Sequence, residues 1–152
     1  MADTRVQSAV EDWVRDVWMP KALGQPFHRA RRPLSSGGVF DFDAVSMDRR
    51  IIASISTSGA RTAGGKHAVG KLMKIRSDML FLLLAEADRR LVVLTEHDML
   101  QLCEKERAGG RVPASIEFIH AELPDELKTR LAEARRVASD EVNPQGRPRA
   151  SD

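Results

Sequence analysis

Apolar and polar residues follow one another along this chain in two rhythms, and each change of rhythm marks an element. Val6, Val10, Trp13, Val14 and Val17 recur at helical spacing between Arg5 and Trp18, a narrow apolar stripe that predicts a helix closed by Pro20. Residues 27–33 follow a short linker and read as a strand. Ser35-Ser36-Gly37-Gly38 supplies a turn, and the segment GVFDFDAVS then alternates with period two. Strict alternation sends Phe40, Phe42 and Ala44 to one face and Val39, Asp41, Asp43 and Val45 to the other. Met47-Asp48-Arg49 is a second turn, into a third strand over residues 50–57. So short a connection makes the second and third strands an antiparallel hairpin.

The rhythm changes after the glycine-rich stretch SGARTAGG. Val69, Leu72, Met73, Leu80, Leu83 and Leu84 keep helical spacing and predict a helix over residues 66–87, although MLFLLLA alone is also compatible with a buried strand. RLVVL, residues 90–94, is a short β-branched run of the kind found inside a sheet. Thr95-Glu96-His97-Asp98 has the composition of a capped helix start, and that helix is expected to stop at Gly109-Gly110. Residues 115–123 form a last strand, with Ile116, Phe118 and His120 alternating against Glu117, Ile119 and Ala121. Pro124 opens a final helix with Asp125 and Glu126 in its first turn and Arg135 and Arg136 in its last, as the helix dipole favours.

The resulting order is helix, three strands, helix, strand, helix, strand, helix. It predicts an α/β domain with a mixed central sheet and helices on both faces. Residues 1–138 are expected to form one domain, while residues 139–152 have little to bury and are expected to be a disordered tail.

Composition adds bounds. Hydrophobic residues make up 42% and charged residues 30% of the 152, an ordinary balance for a folded soluble protein. No apolar run approaches the roughly 20 residues that span a bilayer, so no membrane partner is expected. The N-terminal segment has no basic region leading into an apolar one, so it is not read as a secretory signal. Cys103 is the only cysteine, which rules out an internal disulfide and suits a reducing cytoplasm. The net charge of +2 conceals an asymmetry: residues 1–76 hold 13 basic against 7 acidic side chains, and residues 77–152 hold 11 against 15. Five basic residues and no acid fall between Arg61 and Arg76. A segregated basic region suits a polyanion such as nucleic acid, and it also suits a solvated helix face.

Two acids inside one strand are the first candidates for chemistry. Asp41 and Asp43 share a face between apolar neighbours, where a partner is required: a metal ion or an arginine. The third strand then reads IIASISTSG, with Ser54 and Ser56 on one face and Ala53 and Ile55 on the other. An acidic second strand entering a third by a hairpin, in this element order, resembles the PD-(D/E)XK (restriction-endonuclease-like) nuclease superfamily, over roughly residues 5–123. The resemblance implies a restriction-endonuclease-like fold in which an Asp of the second strand and an acid-x-Lys triplet of the third hold Mg²⁺ at a phosphodiester. Carboxylates suit this hard ion, and a lysine assists water or offsets developing charge.

Carried over residue by residue, Asp43 matches the second-strand acid, with Asp41 as a second metal ligand, and the triplet falls on Ser54-Ile55-Ser56. The acid and the lysine are both serine here. Serine neither replaces a carboxylate ligand nor supplies positive charge, so the resemblance implies the fold without its usual catalytic pair. Lys66, Lys71 or Lys74 could provide a displaced lysine. Glu11 could provide a further carboxylate, although it lies well off the apolar stripe and reads as a surface residue.

Gly65-Lys66-His67-Ala68-Val69-Gly70-Lys71 also has the glycine-x4-Gly-Lys spacing of a phosphate-binding loop. Position 72 is leucine rather than the hydroxyl residue that would ligate Mg²⁺, which counts against nucleotide hydrolysis. The histidines, at 28, 67, 97 and 120, show no metal-binding spacing.

The leading expectation is therefore a nucleic-acid-binding, in the first place DNA-binding, pseudoenzyme of nuclease fold. Arg29, Arg31, Arg32, Arg61, Lys66, Lys71 and Lys74 are its expected phosphate contacts. The alternatives are an atypical endonuclease using Asp43 and requiring Mg²⁺ when active, and a non-catalytic scaffold that works as a homo-oligomer or in a larger assembly.

Overall fold

A computed structural model describes residues 4–61 and 65–142, with side chains to 137. Five strands form one sheet in the order β1 (Phe27–Pro33), β2 (Val39–Ser46), β3 (Ile51–Ser56), β4 (Arg89–Leu94) and β5 (Ile116–His120). The pairs β1–β2 and β2–β3 are antiparallel, whereas β3–β4 and β4–β5 are parallel. Only β2 runs against the rest. The mixed α/β sheet is thus present, with the 90–94 run between two neighbours as its β-branched composition requires.

Helices cover both faces. Val10 and Val14 from the first helical segment and Leu131 from α5 (Asp125–Val142) pack against Ala44, Ala53, Ile55, Leu91 and Val93. Ile75, Met79 and Leu82 of α3 (Val69–Leu84), with Met99 and Cys103 of α4 (His97–Ala108), cover Phe42, Val45, Ile52, Val92 and Leu94 on the other side. Burial of both faces explains why β3 and β4 are continuous apolar runs rather than alternating ones. Among the described residues no helix is long and apolar enough to cross a membrane.

Several local expectations are corrected. The first helix does not end at Pro20. α1 (Arg5–Trp13) passes through a π-helical turn at Val14–Trp18 into α2 (Met19–Leu23), which carries Pro20 in its first turn and stops at Gly24, φ 80°. The wider turn accommodates a proline that would clash with the carbonyl four residues back, and it rotates Val17 outward while burying Met19.

In β2 the alternation breaks. His28 pairs with Val45 but Ala30 with Phe42, so Asp43 and Ala44 together oppose Arg29. This bulge puts Ala44 in one core and both Phe42 and Val45 in the other. In α3 the buried face is Ile75, Asp78, Met79 and Leu82, whereas Val69, Met73, Leu80 and Leu83 are exposed. Apolar residues surround this helix, so periodicity selected the wrong side.

No side chain caps α4. The Thr95 hydroxyl donates instead to the Ser56 carbonyl, and Glu96 pairs with Arg135. α5 continues to Val142, past the arginines expected to end it, and residues 143–152 of the expected tail lie outside the described residues.

Candidate functional site

The bulge in β2 is where the acidic residues collect. Only Ala44–Ala53 and Val45–Ile52 pair between β2 and β3, and beyond them the Ile55 amide donates to the Asp43 carboxylate at 2.8 Å. Asp43 therefore fills in for a missing ladder bond. Above it, α1 and its π turn bring Glu11 and Arg15. The Arg15 guanidinium is buried; it donates to Asp12, to Asp16 and, at 3.4 Å, to the Asp43 carbonyl. Arg29 on β1 spans Glu11 at 3.4 Å and Asp41 at 3.2 Å.

Glu11 is the perturbed group of this cluster. Burial raises its carboxyl to about 7, the Asp43 carboxylate adds charge repulsion and a shared hydrogen bond, and Arg29 and Arg15 oppose the rise. A carboxyl raised this far keeps its proton well above the ordinary carboxylate range, or gives it up to a cation. Sequence reasoning assigned Glu11 to the surface. The missed signal was Arg15, four residues on, a charge inside the packed layer that needs acids around it. For Asp41, the arginine partner weighed against a metal is present.

Ser54 and Ser56 flank Ile55, whose amide binds Asp43. Ser54 and Ser56 alternate with Ile55 and follow Ile52, which places them on the α3–α4 side, opposite Val92 and Leu94 of β4. No hydrogen bond joins either one to Asp43 among the described residues. Ser54 is 4% exposed and its Oγ has no hydrogen-bond partner there. Ser56 Oγ accepts from the Ser58 amide at 3.4 Å. The Asp78 carboxyl of α3 is raised chiefly by burial and lowered by Lys74, with the Asp43 charge adding to the rise.

Beyond the end of β3 the chain opens a cavity of ≈ 670 Å³ lined by Ser58, His67, Ala68, Lys71 and Lys74. One wall is the start of α3, where Ala68 makes no side-chain cap and the first turn has no acid. Lys74 Nζ lies 3.0 Å from both oxygens of Asp78 yet its side chain is 70% exposed, and Lys71 makes no ion pair among the described residues. The other expected phosphate contacts are dispersed. Arg61 donates to the Gly65 carbonyl, Arg32 to the carbonyls of Arg49 and Glu86, and Arg29 belongs to the acidic cluster. Arg31 and Lys66 are exposed.

Two further groups are settled by burial and shape. Cys103 is enclosed, and burial pushes its thiol up to about 11, so it packs rather than reacts. In the glycine-x4-Gly-Lys segment, Gly70 and Lys71 already belong to α3 and position 72 offers no hydroxyl. Compared with family models, curated proteins and solved structures, the chain matches none.

Proposed function

We propose that this protein binds nucleic acid, DNA in the first place, by holding backbone phosphate at the start of α3. The observation that carries the proposal is the cavity where Lys71, Lys74 and His67 meet the uncapped end of a 16-residue helix. The Val69 and Gly70 amides and the dipole of a helix start favour an anion, and the Lys71 ammonium, with Lys74 held on Asp78 beside it, adds positive charge for a phosphate backbone.

The restriction-endonuclease-like fold forms part of the same proposal. It is supported by the element order and by a bulged, acidic β2 running antiparallel into β3. On this reading the cleavage chemistry is lost. Ser54 is shut in and Ser56 is neutral, so neither holds Mg²⁺ nor stabilises charge. A reducing cytoplasm suits the buried thiol of Cys103. The exposed row Val69, Met73, Leu80 and Leu83 supports self-association or a place in a larger assembly.

The test is an anisotropy titration of duplex DNA across salt concentrations. Replacing Lys66, Lys71 and Lys74 together by alanine is expected to lower the log–log salt slope by about two to three. An unchanged slope would leave the basic helix as mere solvated surface.

One observation favours a second reading, an atypical Mg²⁺-dependent nuclease: the meeting of Glu11 and Asp43. Lacking a lysine at the triplet, such a site activates water poorly, since one missing acid–base contributor costs a factor of about 10² to 10⁴. The same samples incubated with Mg²⁺ are expected to show no cleavage above background. Robust cleavage abolished by Asp43→Ala would install the second reading instead.

A further inference from the structure

We infer that His97, His120 and Glu122 form a binding site for a divalent transition-metal ion, zinc in the first place, at the carboxyl ends of β4 and β5. The three side chains come from separate places: the first turn of α4, the last residue of β5 and the segment beyond it. Parallel pairing of Leu94 with His120 brings them together, because His97 lies three residues past Leu94. One ligand atom of each lies within 4.8 Å of the others. The spacing of 23 residues between the imidazoles gives no sign of this in the sequence.

The hydrogen bonds around the cluster leave the ligand atoms facing inward. His120 Nε2 lies 3.2 Å from the Thr95 carbonyl. A carbonyl only accepts, so Nε2 bears the proton, and the lone pair of the neutral ring is on Nδ1. That atom faces Glu122 Oε2 at 3.7 Å, and His97 Nε2 faces the same oxygen at 3.8 Å. The other carboxylate oxygen, Oε1, is taken by the Lys128 ammonium. Two imidazole nitrogens thus converge on one carboxylate oxygen, an arrangement that a cation completes.

A backbone carbonyl fixing the far ring nitrogen is the usual way of orienting a metal-binding histidine. Donors about 2.1 Å from a tetrahedral ion stand about 3.4 Å apart, so closing the observed spacings takes a rotation of the His97 ring, whose side chain is 71% exposed. The rings stack with centroids 3.8 Å apart and planes 24° apart, so their in-plane lone pairs run nearly side by side and the exposed His97 ring must swing out of the stack to share an ion with His120.

Ligand chemistry sets the ion. Two imidazoles and one carboxylate suit zinc and its first-row neighbours rather than Mg²⁺ or Ca²⁺, which take oxygen ligands. Three protein ligands at an exposed rim leave further positions to water, the arrangement of an open rather than a closed structural site. The location agrees, since the carboxyl ends of parallel strands are where α/β sheets carry ligands. Lys128 opposes the ion by charge and competes for Glu122.

The test is calorimetric titration of the whole protein with Zn²⁺, repeated with Co²⁺ to read coordination from its visible absorption. One ion per chain is expected, undisturbed by excess Mg²⁺. His97→Ala, His120→Ala and Glu122→Gln should each weaken binding by at least about tenfold, His28→Ala should not, and Lys128→Ala should tighten it. His97 and Glu122 are exposed, so their variants test the site even if His120→Ala perturbs folding. Absence of one-to-one binding, or binding indifferent to both His97→Ala and Glu122→Gln, would overturn the inference.

Discussion

The two halves of the sheet solve different problems. β3, β4 and β5 run parallel with helices on both faces, and the whole of Leu91–Leu94 is buried. Their chemistry is displaced to the ends of the strands, into the cavity beside Ser58 and the His97–His120–Glu122 cluster. β1 and β2 form an antiparallel edge whose middle is charged, and there Glu11, Arg15, Arg29, Asp41 and Asp43 satisfy one another across a bulge. Apolar burial maintains one half and a polar network helps to maintain the other. The contrast separates groups that serve the fold, such as Asp43 on the Ile55 amide, from groups with unfilled capacity, such as Lys71.

Truncation of the apolar half should have the largest effect. Leu91 is fully buried between neighbouring strands, and Leu91→Ala should destabilise the protein by about 2–5 kcal/mol, as core leucines commonly do when a cavity remains. Urea denaturation reads this directly. A cost below about 1 kcal/mol would mean that the core of this half is loosely packed.

The charged half should instead reveal itself through pH. Glu11 holds its proton up to about 7 in the folded chain, against 4.5 in the reference state. Between those values the native state binds more protons than the unfolded state, so stability should fall as pH rises from about 4.5 to 7. Glu11→Gln should remove much of that slope and stabilise the protein above neutrality by about 1–2 kcal/mol, a figure reduced for the partial exposure of the pair. If the Glu11→Gln and parent chains show identical stability–pH curves, the Glu11 carboxyl does not hold its proton above the ordinary range. Added Mg²⁺ sharpens the test, because an ion bound at Glu11 and Asp43 would flatten the slope of the parent alone.

The same division marks what the sequence revealed. Strand and helix order was legible because the period-two run GVFDFDAVS, the β-branched RLVVL and the turn residues are local signals. The faces were not always legible. α3 carries apolar residues on more than one side, so Met73 and Leu80 competed with Ile75 and Met79, and only the sheet decides between them. In β2 the bulge turns on a single pairing offset opposite Arg29, which no local pattern records. Arg15 escaped notice, and Glu11 was read as a surface residue, because the π turn aims Arg15 inward against the helical stripe. The imidazole pair was hidden for a different reason: it is a product of strand pairing, not of spacing.

The smallest expected effect tests whether a charge pair outside such a network matters. Arg89 of β4 and Glu117 of β5 meet in a two-pronged contact, Nε to Oε2 at 3.1 Å and Nη2 to Oε1 at 2.8 Å. The hydrogen bond from Arg89 holds the Glu117 carboxyl below its ordinary range. Both side chains are 42% exposed, so solvent screens the attraction, while the paired geometry places it toward the upper end for surface ion pairs. A double-mutant cycle with Arg89→Ala and Glu117→Ala should give a coupling of about 0.5–1 kcal/mol. The sign with pH is fixed by the depressed carboxyl: the contribution is present above the unfolded value and is lost as pH falls through the folded one. Salt should diminish it as well, because both groups reach solvent. A coupling larger than the change in stability produced by Glu11→Gln would reverse the comparison, because the isolated rim pair would then outweigh the partly buried network.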